Sequence, residues 1–248
     1  MVCILNEYKR GGCATCPKQC QHHIFLEGLN SKGGRLGAAK VPSEYRDLTL
    51  ENSPAREAQS KIYGMLDAYI ATYERQFANA SGVADSAERI KSLYLWSESP
   101  GTGKTTTASA LLNEYVVAHY LGSLKRSTQP IQRPALFLDV NALQTDYNLA
   151  TMTHDESGLA QVTETMRKAM DVSYLVMDDV GIRSATESFK SIVHAIINAR
   201  TTAGKPTVFT SNLPIDEMAT VFDARLADRM RDQCVVLHFA GESKRGKR

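Results

Sequence analysis

The segment from Glu98 to Thr105, which reads ESPGTGKT, constrains the fold of this chain more than any other. The apolar run Leu93–Trp96 precedes it, and a helical pattern follows it. Glycines at 101 and 103 allow backbone N–H groups to turn inward, and Lys104 adds a positive charge where the helix begins. This arrangement predicts a phosphate-binding loop between a strand and a helix of a parallel sheet.

The loop departs at one position from the Walker A pattern G-x-x-x-x-G-K-[ST], because Glu98 replaces the first glycine. We expect Lys104 to reach the β and γ phosphates of ATP or ADP and the Thr105 hydroxyl to ligate Mg²⁺. The predicted nucleotide-binding residues are Pro100, Gly101, Thr102, Gly103, Lys104, Thr105 and Thr106.

Two further strand ends carry polar side chains. The apolar run Tyr174–Met177 leads into Asp178 and Asp179, the pattern of a Walker B strand. We expect Asp178 to hold Mg²⁺, directly or through water, and Asp179 to polarise the attacking water. Asn212 follows the run Thr207–Thr210, and it is predicted to orient that water beside the γ phosphate.

Short apolar runs alternate with helical patterns along most of the chain, which predicts an α/β fold with a five-stranded parallel sheet flanked by helices. Ser53 and Pro54 predict the start of a helix that ends near Ser81. Ser184 and Glu187 form a capping-box pattern that predicts the start of another helix. The remaining predicted strands are Leu136–Val140 and Val235–Phe239.

The first 20 residues hold four of the five cysteines, and two histidines follow them. Three thiols and an imidazole at this spacing predict a structural Zn²⁺ site preceding the ATPase core. The predicted ligands are Cys13, Cys16, Cys20 and His22, with Cys3 or His23 as the alternative fourth ligand. The glycine-rich stretch 27–43 is predicted to be a flexible linker, which divides the chain into a zinc-binding module with linker, 1–40, and an ATPase domain, 41–248.

Composition excludes several classes of protein. The 248 residues carry a net charge of only +2, so bulk charge does not predict nucleic-acid binding. Apolar stretches are too short to cross a bilayer, and the N-terminal segment lacks the pattern of a secretory signal. We therefore expect a cytoplasmic protein with no membrane partner.

The order of four motifs, Pro-Gly-Thr-Gly-Lys-Thr, Leu-Val-Met-Asp-Asp-Val-Gly, Val-Phe-Thr-Ser-Asn-Leu and Arg-Leu-Ala-Asp-Arg-Met, resembles the AAA+ ATPases of the DnaC/DnaI type over residues 41–245. The compact cysteine motif is similar to that of a phage or mobile-element version of these DnaC/DnaI-type proteins. This resemblance implies an ATP-dependent loader that places a hexameric replicative DNA helicase onto single-stranded DNA during replication initiation, with hydrolysis coupled to self-assembly. The N-terminal module would bind the helicase.

The resemblance also implies roles for individual residues. Asn212 would be sensor 1, Arg229 the arginine finger with Arg225 as the second choice, and Arg245 a sensor 2 on a short tail. The segment 141–171 is long enough for the extra helix that initiator-type AAA+ proteins use against single-stranded DNA.

Two other functions fit the same sequence. One is a transposition helper ATPase of the IstB type, which would recruit a transposase to double-stranded DNA. The other is a helicase-binding adaptor or inhibitor with little turnover, in which Glu98 and Asp179 weaken catalysis.

Overall fold

The structure, a computed structural model, describes residues 20–29, 33–81, 89–181, 185–241 and 243. Five parallel strands form one sheet in the order β2-β3-β4-β1-β5. The strands are β1 (Ser92–Trp96), β2 (Ala135–Asp139), β3 (Tyr174–Asp178), β4 (Thr207–Ser211) and β5 (Cys234–His238). The predicted five-stranded parallel sheet is confirmed, and no strand bound shifts by more than one residue.

Helices cover both faces of this sheet. They are α1 (Gln21–Glu27), α2 (Gly34–Ala38), α3 (Ser60–Ile70), α4 (Lys104–Lys125), α5 (Val140–Met152), α6 (Glu156–Asp171), α7 (Glu187–Thr202), α8 (Met218–Val221) and α9 (Ala224–Gln233). Short 3₁₀ segments occupy Ser43–Tyr45, Ala71–Ser81 and Ile215–Glu217. Among the described residues, no helix is both long and apolar enough to span a membrane.

The two faces bury different residues of each strand, as the alternation of side chains along a strand requires. Leu93 and Leu95 of β1 pack with α3 and α4 in one apolar core. Tyr94, between them, belongs to the second core, formed with α5, α6, α7 and α9. Since β3 and β4 are buried along their whole length, they read as continuous apolar runs in the sequence.

Residues predicted to form a flexible linker are instead packed into the first core. Leu36 of α2 and Val41 are buried, and the backbone N–H of Phe137 donates to the carbonyl of Ala39 at 2.7 Å. Arg35 is buried too, and it donates to the carbonyls of three residues, Phe25, Pro130 and Ile131. The linker prediction is therefore wrong for the described part of 27–43, whereas the division of the chain at residue 40 stays a prediction.

Two predicted helix starts also differ from the structure. Ser53 does not cap a helix, because its hydroxyl bonds to that of Tyr63 at 2.5 Å while residues 54–59 form turns. The α-helix begins at Ser60 and continues as a 3₁₀ segment after Ile70. Thr186 caps α7 by accepting from the N–H of Phe189, whereas Ser184 of the predicted capping box lies outside the described residues.

Arg200 of α7 joins the amino-terminal ends of two strands. Its side chain is 1% exposed and donates to the Thr207 hydroxyl and to the carbonyls of Ala169, Val172 and Pro206. Burial lowers the pKa of Arg200 to about 9, so the guanidinium stays charged at neutral pH. These four bonds link α7 to α6 and to the residues at the starts of β3 and β4.

Candidate nucleotide site

The glycine-rich loop lies at the carboxyl edge of the sheet, where it connects β1 to α4. Gly101 and Gly103 adopt positive φ values of 73° and 101°, which side chains disfavour. A Cβ atom on Gly103 would lie 2.5 Å from the Cβ of Ala55, so this position admits no side chain. Gly103 is also the N-cap of α4, so the N–H groups and the positive dipole end of the first helical turn face the loop.

Lys104 is held over the loop by oxygen atoms from two segments. Its side chain is 6% exposed, and Nζ donates to Asn212 Oδ1 at 2.9 Å and to the carbonyl of Ser99 at 3.2 Å. Asn212 follows β4, which pairs with β1, so strand order explains this contact across 108 positions. The lysine and the predicted sensor asparagine are therefore in one site.

Glu98, the residue that replaces the first Walker A glycine, contacts the end of β5. Its carboxylate lies 3.4 Å from Nε2 of His238, at the end of β5, and His238 stacks on Trp96. Glu98 is absent from the described residues with positive φ, so its backbone conformation needs no glycine. The substitution therefore leaves the curvature at Gly101 and Gly103 intact.

Asp178 is the last residue of β3, and its carboxylate accepts hydrogen bonds from two hydroxyl groups. Thr210 donates to Oδ1 at 2.6 Å, and Thr105 donates to Oδ2 at 3.2 Å. Burial, together with the charges of Asp179 and Asp139, raises the pKa of Asp178 to about 6, even though the two hydroxyl hydrogen bonds lower it. Carboxylate and hydroxyl oxygens are hard donors of the kind that Mg²⁺ prefers, so Asp178 and Thr105 fit this metal.

Asp179 sits in a strained turn immediately after β3. Its φ of 59° lies in the left-handed region, and its N–H donates to the Thr210 hydroxyl at 2.9 Å. Asn141, in the first turn of α5, donates to Asp179 Oδ2 at 3.4 Å. The half-buried carboxylate thus lies beside Asp178 at the same sheet edge.

The two candidate finger arginines lie one turn apart on α9 and differ in their surroundings. Arg225 is exposed. Arg229 is half-buried, and its Nη1 donates to Asn198 Oδ1 on α7 at 2.6 Å. Arg245, the predicted sensor 2, lies outside the described residues.

Of the predicted zinc ligands, Cys20, His22 and His23 lie in the described part of the chain, and Cys3, Cys13 and Cys16 do not. Cys20 caps α1, its Sγ accepting from the His23 N–H at 3.3 Å. His22 Nδ1 bonds to the hydroxyl of Tyr120 at 2.7 Å. Within the described ranges, no three potential ligands come together as a metal-binding group.

His23 has the surroundings expected of a metal ligand. It is 2% exposed, its Nδ1 lies 3.4 Å from the Glu27 carboxylate, and its Nε2 has no hydrogen-bond partner among the described residues. Metal-bound histidines commonly donate their second ring nitrogen to a carboxylate. Of the two candidate histidines, His23 therefore has the surroundings closer to those of a metal-bound histidine.

The sequence pattern does not mark two residues of the site, Thr210 and Asn141. Thr210 has the pattern of a strand end only, yet its hydroxyl contacts both Asp178 and Asp179. The signal that could have found them is strand order, because β4 and β2 lie on either side of β3. Polar residues near the carboxyl ends of those strands must lie beside Asp178 or Asp179.

This geometry defines the class of protein, an α/β P-loop domain of the AAA+ type. The chain belongs to the family described as IstB-like ATP binding protein, whose model matches residues 93–248. Curated relatives and solved structures confirm the resemblance to DnaC/DnaI-type proteins.

Curated relatives include the replicative helicase loader DnaC of Buchnera aphidicola subsp. Schizaphis graminum, which is 23% identical over 83% of this chain and 79% of the relative. DnaC of Escherichia coli K12 is 27% identical over 56% of this chain and 49% of the relative.

Among solved structures, a DnaC helicase loader matches 80% of this chain and 100% of its own at a TM-score of 0.56 and 17% identity. DnaI matches 80% and 94% at a TM-score of 0.54 and 21% identity. At these identities the structural matches establish the fold.

Proposed function

We propose that this protein is an ATPase that loads a hexameric replicative DNA helicase onto single-stranded DNA during replication initiation. The observation that carries the proposal is the joining of Lys104, Thr105, Asp178 and Asn212 at one sheet edge. The relatives named replicative helicase loader, which match 83% of the chain, support the cellular role. This function implies a cytoplasmic location.

In this proposal different residues of the chain bind the phosphates of ATP and the Mg²⁺ ion. The loop at Gly101 and Gly103 binds the phosphates through backbone N–H groups, and Lys104 exchanges its contact with Asn212 for the β and γ phosphates. Thr105 and Asp178 would hold Mg²⁺, which when bound would offset the negative charge of the phosphates. The remaining members of the predicted loop, Pro100, Thr102 and Thr106, shape it around the nucleotide.

The attacking water would be handled by two other side chains. Asp179 would accept its proton or polarise it, and Asn212 would orient it, since both lie at the sheet edge beside Asp178. Asp179→Asn should therefore lower the ATPase rate by at least about tenfold while leaving nucleotide affinity near that of the wild type.

Self-assembly would complete the site, with an arginine from a neighbouring subunit. Arg229 is our first candidate and Arg225 the second, and Arg245 is proposed as sensor 2. Mixing two inactive variants tests the finger: Arg229→Ala keeps an intact nucleotide site, and Asp178→Asn keeps an intact finger. Activity restored on mixing would support a finger acting in trans, whereas unchanged activity of Arg229→Ala alone, with loss in Arg225→Ala, would transfer the role to Arg225.

We also propose a structural Zn²⁺ site built on Cys13, Cys16 and Cys20, with His23 or His22 as the fourth ligand and Cys3 as a further alternative. The buried, unpartnered Nε2 of His23 and the carboxylate of Glu27 beside its Nδ1 support His23. Zinc content measured on purified His23→Ala and His22→Ala proteins tests the choice. Full zinc content in His23→Ala with loss in His22→Ala would refute it.

The family description favours one alternative, a transposition helper of the IstB type acting on double-stranded DNA. Co-elution with the host's replicative helicase on a sizing column, with ATP and with or without a zinc chelator, separates the two functions. Zinc-dependent co-elution would support the loader with its N-terminal module as the helicase-binding part. Separate elution, together with ATP-dependent binding to duplex DNA, would support the transposition helper. Co-elution with ATP binding but negligible turnover would identify an adaptor or inhibitor.

A further inference from the structure

Thr210, at the carboxyl end of β4, contacts both acidic residues of the nucleotide site. Its side chain is fully buried. The hydroxyl donates to Asp178 Oδ1 at 2.6 Å and accepts from the N–H of Asp179 at 2.9 Å. One hydroxyl group therefore donates a hydrogen bond to Asp178 and accepts one from Asp179, the next residue in the chain.

The bond to Asp178 determines which carboxylate oxygen faces the loop. Because Oδ1 is committed to Thr210, Oδ2 is the oxygen 3.2 Å from the Thr105 hydroxyl. Rotation of the carboxylate away from this orientation would break a short, charge-assisted hydrogen bond in a buried environment. Thr210 thus fixes Oδ2 toward the side chain that would share the metal with it.

The bonds to the following residues determine where the next carboxylate points. Asp179 is in the left-handed region at a φ of 59°, a conformation that costs a non-glycine residue about 1 kcal/mol or more. Thr210 supports this turn twice, because its hydroxyl accepts from the Asp179 N–H and its carbonyl accepts from the Val180 N–H at 2.8 Å. Without the hydroxyl, one of these two supports is lost.

We propose that Thr210 is a positioning residue for magnesium-dependent ATP hydrolysis, which acts by holding Asp178 Oδ2 toward Thr105 and the Asp179 turn in its strained conformation. This inference rests on the proposed ATPase function. The β-branched side chain suits the task, because its second substituent on Cβ restricts χ1 and so directs the hydroxyl.

The test compares Thr210→Val, which removes the hydroxyl at nearly constant volume, with Thr210→Ser, which keeps it. ATPase rates of the full chain are measured at saturating ATP across a Mg²⁺ titration. We expect Thr210→Val to need about tenfold more Mg²⁺ for half-maximal rate and to lose about tenfold in kcat, and Thr210→Ser to stay within about threefold of wild type. Binding of a fluorescent ADP in EDTA should change less than about twofold in both variants.

Thr207→Val is the matched control. Thr207 begins the same strand, is equally buried, and its hydroxyl accepts from Arg200 rather than contacting the site. We expect Thr207→Val to lower the melting temperature without moving the Mg²⁺ dependence. The proposal is overturned if Thr207→Val shifts that dependence as much as Thr210→Val does, or if Thr210→Val behaves like wild type.

Failure of Thr210→Ser to restore the wild-type Mg²⁺ dependence would also overturn the proposal. This variant keeps the test decisive if Thr210→Val does not fold. If the wild-type protein shows no Mg²⁺-dependent hydrolysis, the ATPase function itself fails. In that case the increase in ADP affinity on adding Mg²⁺ is measured instead of the hydrolysis rate. A smaller increase in Thr210→Val than in Thr207→Val supports the positioning role, and an equal increase overturns it.

Discussion

Replacing Asp178 by asparagine should make the metal-free protein more stable while abolishing hydrolysis. Asp178 is 8% exposed and lies beside Asp179, and burial raises the pKa of its carboxyl group from 3.8 to about 6. A pKa difference of about 2 between the folded and unfolded states corresponds to about 3 kcal/mol. Ionised Asp178 therefore destabilises the folded protein at neutral pH by about that amount.

The pH dependence follows from the sign of this difference. Because the folded pKa is the higher one, the folded state retains a proton that the unfolded state has already released between pH 3.8 and about 6. The penalty on wild-type stability is complete above about pH 6, declines as the pH falls through this window, and is lost below the unfolded pKa. The advantage of Asp178→Asn should follow the same course.

Thermal unfolding in EDTA without nucleotide, followed by circular dichroism, measures this effect. For a chain of this size, about 3 kcal/mol should raise the melting temperature by about 8 °C at pH 8, and by about half as much at pH 5. Asp146→Asn, on the exposed part of α5, is the control, and its unfolding free energy should change by less than about 0.5 kcal/mol. A variant no more stable than wild type at pH 8 would show that the burial penalty has been misjudged.

Three further predictions concern other parts of the molecule. Arg200→Met should lower the unfolding free energy by about 3 kcal/mol in denaturant titrations, because three backbone carbonyls lose a buried donor; a loss below about 1 kcal/mol would contradict this. Gly103→Ala should weaken fluorescent ADP binding at least about tenfold through the clash with Ala55, whereas Gly64→Ala, in open space on α3, should leave binding unchanged. Burial lowers the pKa of His119 to about 4, so the unfolded state gains a proton first as the pH falls below about 6.5, and the folded protein loses stability. His119→Gln should reduce this loss by about 2 kcal/mol at pH 4.5. An unaltered pH dependence of the unfolding free energy would refute this prediction.

The sheet could be predicted from the sequence because its signals are local. Buried parallel strands appear as continuous apolar runs, and the residues of the phosphate-binding loop are neighbours in the chain. Lys104, Thr105 and Asp178 could therefore be assigned to one site from motif order alone. The structure adds the bonds between them, which join residues 73 and 108 positions apart.

The contacts that sequence reasoning missed depend on tertiary partners that composition does not reveal. Arg35, among several glycines, has the composition of a solvated linker, yet it is buried because it finds carbonyl acceptors about 95 positions away. Ser53 has the right residue type for a helix cap, but Tyr63 takes its hydroxyl. In both cases a long-range hydrogen bond overrides the local preference.

The position of β4 places the carboxyl end of one strand in contact with both Lys104, the proposed phosphate ligand, and Asp178, the proposed metal ligand. This strand lies between β1 and β3, and its carboxyl end supplies Thr210 to Asp178 and Asn212 to Lys104. Phosphate binding at Lys104 would release Asn212 from the ammonium, while Thr210, fully buried two residues earlier, would keep its grip on Asp178. In the proposed mechanism the exposed Asn212 would turn toward the γ phosphate while the Asp178 carboxylate stays fixed, so one strand would provide both the mobile and the rigid part of the site.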